Sequence, residues 1–133
     1  MRIGIFGSRN ITEFDVGAVL EDINIDMEGS IFLLGGAKGV QAIIKDYLDE
    51  YKDRYGKCLY ILFKPWHLVN TKLAFNTDLF FYRNKQIIQN SDLVVVIRKY
   101  DEEDDSEILG ALSYAGRLNK EITTMDLRDY TIA

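Results

Sequence analysis

Apolar and polar positions along this chain fall into blocks whose period switches between that of a strand and that of a helix. Residues 2–6 (RIGIF) make a short apolar run that ends at Gly7. Val16, Val19, Leu20 and Ile23 then recur at the i, i+3, i+4, i+7 spacing of one helical face, with Asn10 or Thr12 as the expected N-cap. Residues 31–34 (IFLL) read as a second strand, closed by Gly35 and Gly36. Between Gly39 and Tyr55, the residues Val40, Ile43, Ile44, Tyr47, Leu48, Tyr51 and Tyr55 share one helical stripe, and Gly56 follows as a C-terminal cap. Residues 58–63 (CLYILF) predict a third strand, stopped by Pro65. The stretch from Trp66 to about Asn76 keeps no period, and a helix is expected from about Asp78 to Asn90. Residues 93–97 (LVVVI) give the strongest strand signal: an unbroken, mostly β-branched run suited to burial on both faces of a parallel sheet. A last helix carries Ile108, Leu112 and Ala115 on one face, and residues 121–125 predict a fifth strand.

Five short strands alternating with helices mean βαβ units. The expected fold is α/β: a Rossmann-like three-layer α/β/α sandwich around a five-stranded, mainly parallel sheet, with residues 1–133 as a single domain. Right-handed crossovers leave few topologies. A doubly wound sheet places its ligand site in the crevice at the carboxyl ends of the strands. That rule selects Gly7, Ser8 and Arg9 after the first strand, Gly35 to Gly39 after the second, Pro65, Trp66 and His67 after the third, and Arg98 to Ser106 after the fourth.

Composition narrows the chemistry. The chain has 133 residues with one proline, one cysteine and one histidine, enough for a single domain with no metal or disulfide staple. The lone Cys58 lies in an apolar run, so a core position and a reducing, cytoplasmic setting are expected. Cys/His zinc clusters are excluded by count. No apolar run reaches the roughly 18 residues of a membrane span, and the opening Met1, Arg2, Ile3, Gly4 is not expected to be a signal peptide. Sixteen basic against 21 acidic residues give a net charge of −5, so a nucleic-acid partner is not expected, although a small anion can still be held locally.

Several residues at the strand ends can meet such an anion. The Gly35-Gly36-Ala37-Lys38-Gly39 turn sits between a strand and a helix, where glycines allow close approach and the helix N-terminus offers N–H groups. It is neither GxGxxG nor a P-loop, and a tight turn alone also explains it. Ser8 can donate to an oxygen, and Arg9 can pair bidentately with phosphate or carboxylate. Arg83 lies in an apolar helix (LFFYRNKQII), where it must snorkel outward or meet an anion. The acidic run 101–105 can hold Mg²⁺, but a solvated loop before a helix is the favoured reading, with Asp105 or Ser106 as N-cap; no metal is required. His67 alone supplies no acid/base pair, and Trp66 can stack on a base or fill a groove.

Residues 1–9 (MRIGIFGSR), 34–41 (LGGAKGVQ), Pro65-Trp66, Arg83-Asn84 and 91–97 (SDLVVVI) occur in an order that resembles the YspA/YpsA-related branch of the SLOG superfamily, over residues 1 to about 127. That branch reads roughly GSR, GGAxGxD, PxW, RN and an AD-strand followed by a GT-type turn. The resemblance implies a Rossmann-like sheet and a nucleotide site built from Gly7, Ser8, Arg9, Gly35, Gly36, Gly39, Arg83 and Asn84, to which the residue reading adds Ala37, Lys38, Trp66 and Ser106. Gln41 stands where the branch has Asp, and Asp105-Ser106 where Gly-Thr is usual. The related cytokinin-activating phosphoribohydrolases carry PGGxGTxxE. Aligning Ser106 with their Thr puts Leu109 at the catalytic Glu, while Glu107 lies about 200° away around the helix.

The expected function is therefore a module that binds a nucleotide or nucleotide derivative, such as AMP or ADP-ribose, as a sensor or sequestering protein. Were the chain an enzyme, it would be a nucleoside 5′-monophosphate phosphoribohydrolase-like hydrolase with Glu107, or an acid of the 101–105 run, assisting departure of the base. A third reading is an interaction protein. Residues 79–82 (LFFY) are apolar around a helical turn, and a homodimer or larger assembly is expected.

Overall fold

The computed structural model describes residues 1–63, 77–99, 103 and 106–127, with side chains from Phe81 onward in the helix that begins at Thr77. Five strands, β1 (Arg2–Gly7), β2 (Ile31–Leu34), β3 (Tyr60–Leu62), β4 (Leu93–Arg98) and β5 (Glu121–Asp126), form one sheet in the order β3-β2-β1-β4-β5. Every neighbouring pair is parallel. Four helices accompany them: α1 (Val16–Asp22), α2 (Val40–Tyr55), α3 (Thr77–Gln89) and α4 (Ser106–Arg117).

Alternation along the central strands sends side chains into two separate cores. Ile3, Ile5, Phe32, Leu34, Val95 and Ile97 pack with Val19 and Leu20 of α1 and with Ile44 and Leu48 of α2. Phe6, Leu33, Val94 and Val96 pack on the other face with Ile87 and Ile88 of α3 and with Ile108, Ala111 and Ala115 of α4. The result is three layers, two helices on each face of a parallel sheet, as the alternation of elements predicts. Each fully buried aliphatic side chain contributes about 1.5–3 kcal/mol of transfer free energy.

The register of the central pair is fixed at its base. The Arg2 amide donates to Asp92 Oδ2 at 2.8 Å, and Ile3 stands opposite Leu93. The chain direction reverses around β1 and β4. β1 connects through α1 to β2 on one side, and β4 connects through α4 to β5 on the other. The carboxyl ends of β1 and β4 mark the switch point of the sheet, where folds of this kind open a crevice.

Three local expectations need correction. The N-cap of α1 is Asp15, whose carboxylate accepts from the Ala18 amide at 3.1 Å; neither Asn10 nor Thr12 takes that place. The helix starts late because Ile11 and Phe14 are both buried, and a loop rather than a helix brings them into the core together. Strand β3 is only three residues long, and Cys58 lies exposed ahead of it rather than in the core. The long stripe of α2 also drifts out of the core: Val40, Ile44 and Leu48 are buried, whereas Tyr55 is exposed beyond the end of the sheet. Gly56 does end α2, with φ 72° in the left-handed region and its amide on the Lys52 carbonyl. No helix among the described residues is long and apolar enough to cross a membrane.

The cap assignment is open to direct measurement. Asp15→Ala is expected to lower stability by about 1 kcal/mol in chemical denaturation, whereas Thr12→Ala leaves the midpoint unchanged.

Candidate functional site

The residues at the carboxyl end of the sheet are tied together by one buried cation. Arg83, in the middle of α3, is 1% exposed. Its Nε donates to Asn84 Oδ1 at 3.1 Å, its Nη1 donates to the Gly35 carbonyl, and its Nη2 donates to Glu107 Oε1 at 3.3 Å. Burial draws this guanidinium below its ordinary pKa; the Glu107 charge pulls it back up, and the nearby Arg9 pushes it down again. The snorkelling alternative is thereby settled: Arg83 points inward, and its anion is a side chain of its own chain.

Glu107 is the other pole. It sits in the first turn of α4 with its side chain 17% exposed. Oε1 accepts from Arg83 Nη2 and, at 3.1 Å, from Asn84 Nδ2. Oε2 accepts from Arg9 Nε at 3.0 Å and Arg9 Nη2 at 2.7 Å. Arg9 belongs to the segment leaving β1 and its side chain is 47% exposed. The Arg9–Glu107 ion pair thus joins the two segments that flank the switch-point crevice. Leu109, the position that a TxxE alignment selects, is exposed on α4 instead. Both Glu107 oxygens are therefore engaged by side chains of neighbouring elements.

The glycines around this network are required by the chain itself. A Cβ on Gly35 would lie 2.7 Å from the Arg83 guanidinium carbon. Gly39 has φ 76°, and a Cβ there would clash with the Ser8 carbonyl, because the first amide of α2, Val40 N–H, donates to that same carbonyl at 3.2 Å. The chain leaving β1 therefore docks on the N-terminus of α2. Ser8 is buried, with its Oγ accepting from the Asn10 amide. Gly7 ends β1 against Val40 and the Ile97 carbonyl.

Gln41 is the residue that sequence reasoning undervalued. Read as the loss of a carboxylate, it is a buried clamp. Its Nε2 donates to the Ile5 carbonyl at 2.7 Å, and its Oε1 accepts from the amides of Gly35 and Ala37 at 3.2 and 3.1 Å. The β1–β2 ladder pairs Arg2, Ile3 and Gly4 with Ile31, Phe32 and Leu33, and Gln41 bridges the two chains beyond that point. A carboxamide both donates and accepts where an ionised carboxylate can only accept, which is the signal that a Gln in place of Asp carries. Two amides of the glycine turn are thereby engaged internally.

Of the remaining candidates, Gly36 and Lys38 are exposed at the tip of the turn, Ala37 is half-buried, and Ser106 is exposed as the first residue of α4. Trp66 and His67 lie outside the described residues, as do residues 101, 102, 104 and 105 of the acidic run. Among the described residues no group of His, Cys, Asp and Glu is arranged to hold a metal ion. Phe81, Tyr82 and Leu109 are exposed, and the Phe81 ring lies over Gly110 of α4.

The fold and the switch-point geometry define an α/β protein of Rossmann-like type. The chain matches no family model and no curated protein. It is similar to a solved structure described as "Structural insights into the unique single-stranded DNA binding mode of DNA processing protein A from Helicobacter pylori", with a TM-score of 0.64 and 16% identity. The likeness covers 93% of this chain and 64% of that one, so the chain spans about two thirds of its neighbour's length. At this identity the likeness is one of fold: the Rossmann-like arrangement is shared.

Gln41→Asp tests the clamp. It leaves the Ile5 carbonyl without its donor and places a charge among buried groups, so a loss of at least about 1–3 kcal/mol in denaturant unfolding is expected. A stable Gln41→Asp protein would show that the clamp is dispensable.

Proposed function

We propose that this chain binds a phosphate-bearing nucleotide or nucleotide derivative in the crevice between the segments leaving β1 and β4. The observation that carries this reading is the convergence of Arg9, Arg83 and Asn84 on one point at the switch of a parallel sheet, the place where such sheets hold their ligands. Arg9 is the half-exposed member of the set and the one that reaches solvent. The resemblance of residues 1–9, 34–41 and 83–84 to SLOG sequences supports the same ligand class. The engagement of both Glu107 oxygens favours binding over N-glycosidic hydrolysis.

A second reading follows from the structural neighbour, whose description names single-stranded DNA. It reopens the nucleic-acid partner that the net charge of −5 set aside.

Isothermal titration with AMP, ADP, ADP-ribose, NAD, cyclic nucleotides and a short single-stranded oligonucleotide separates the two. Arg9→Ala is expected to weaken the ligand found by about 1.5–3 kcal/mol, the worth of a charge-assisted contact. Arg9 is the residue to truncate, because removing Arg83 strands a buried carboxylate partner and confounds binding with folding. Binding of the oligonucleotide alone would replace the first reading with the second, and silence across the panel would remove both.

A further inference from the structure

We propose that the outer face of α2, near its C-terminus, is a docking groove for an extended, proline-rich peptide that carries a basic residue. This surface lies apart from the Arg83 cluster and does not depend on the nucleotide reading. α2 starts against the segment leaving β1, where the Val40 amide meets the Ser8 carbonyl, and runs back toward the amino ends of the strands. Its second half carries a groove of about 170 Å³ lined by Tyr47, Glu50, Tyr51, Arg54 and Tyr55. These five positions follow the i, i+3, i+4, i+7, i+8 spacing of one helical stripe. Tyr47 and Tyr51 are only partly buried against the core, and Tyr55 is 61% exposed.

The aromatic platform is held in place by its surroundings. The Tyr51 hydroxyl donates to Glu28 Oε1 at 3.1 Å, and Lys57 Nζ donates to Glu28 Oε2 at 3.0 Å. The Tyr55 ring leans on that of Tyr51, with centroids 4.6 Å apart and planes at 47°. Glu50 and Arg54 stand at i and i+4, yet they form no ion pair with each other. Among the described residues neither they nor the hydroxyls of Tyr47 and Tyr55 have a hydrogen-bond or ion-pair partner.

Those polar groups select the occupant. Arg54 can only donate, the two tyrosine hydroxyls donate readily, and Glu50 can only accept. The groove therefore suits a ligand with many acceptors, few donors and one positive charge. A docked helix has its backbone carbonyls already engaged and would leave the donors unmet. A polyproline II segment has no internal hydrogen bonds, so its carbonyls are open, and its prolines bring no N–H. Its pyrrolidine rings pack on aromatic faces, and its extended shape costs little entropy to bind. The lengths also agree: eight residues of helix from Tyr47 to Tyr55 rise about 12 Å, the span of about four steps of polyproline II. Glu50 is then the partner for a ligand lysine or arginine.

The test is an NMR titration of the ¹⁵N-labelled chain with end-capped decaproline and with decaproline bearing one arginine at either end. At least one arginine peptide is expected to give saturable shifts at residues 47–56 with a dissociation constant below about 1 mM, and to bind more tightly than uncharged decaproline. Tyr55→Ala is expected to weaken all binding at least about threefold. Glu50→Gln is expected to remove the advantage of the arginine peptide and leave decaproline unchanged. Absence of saturable shifts, shifts confined to other residues, or equal affinity for charged and uncharged peptides overturns the proposal. So does insensitivity to either substitution. Shifts at residues 47–56 that follow protein concentration without peptide also overturn it, and assign the face to a second copy of the chain. Glu50 and Tyr55 are both exposed, so neither substitution removes a core contact. Should Tyr55→Ala not fold, Glu50→Gln decides alone.

Discussion

A guanidinium that is taken almost wholly out of water must be surrounded by acceptors, and that requirement at Arg83 organises one end of this molecule. Among the described residues these acceptors include Asn84 next to it, the carbonyl of Gly35 at the exit of β2, and Glu107 in the first turn of α4. Since Glu107 also holds Arg9, a single buried charge ties α3, α4 and the chain leaving β1 and β2 into one unit. Breaking such a pair from one side costs about 3–5 kcal/mol, because the other side is left uncompensated. The aliphatic cores on the two faces of the sheet fix the fold. The polar cluster at the strand ends joins the segments leaving β1 and β2 to α3 and α4.

The residues of the fold were legible because periodicity reports burial. Residues 93–97, apolar without a break, became the strand buried on both faces, and the stripe of α2 gave its inward face through Val40, Ile44 and Leu48. The errors arose where tertiary packing overrides a local signal. Asn10 and Thr12 are good caps by type, yet Ile11 and Phe14 draw that segment into the core as a loop and pass the capping role to Asp15. Cys58 shares its apolar run with Leu59, but both precede the short β3, and the chain entering the sheet edge buries Leu59 and leaves Cys58 exposed. Arg9, Arg83 and Asn84 could be named one by one from the chain. That Glu107 joins them could not, because the contact spans 98 residues from Arg9 and depends on how α4 leaves β4.

The structure also moves the weight of the site from its glycines to its cations. A glycine-rich turn before a helix suggests a ligand at the backbone, yet Gly35 makes room for Arg83, and Gly39 makes room for Ser8 and Arg9. Gln41 takes up the amides of Gly35 and Ala37. A family pattern with Asp at that position keeps a carboxylate near the turn; this chain has an uncharged clamp instead, and among the described residues Arg9 pairs with Glu107 of α4.

The net charge of −5 and the local positive pole are compatible because they act over different distances. At physiological salt, exposed charges are screened beyond about 8 Å. Within that distance of Arg9 lie the Arg83 guanidinium and Glu107, linked to one another by hydrogen bonds, so the overall charge does not decide which anion this end of the sheet can meet. A nucleic-acid strand several nucleotides long extends past one screening length, so it requires successive cations along its path.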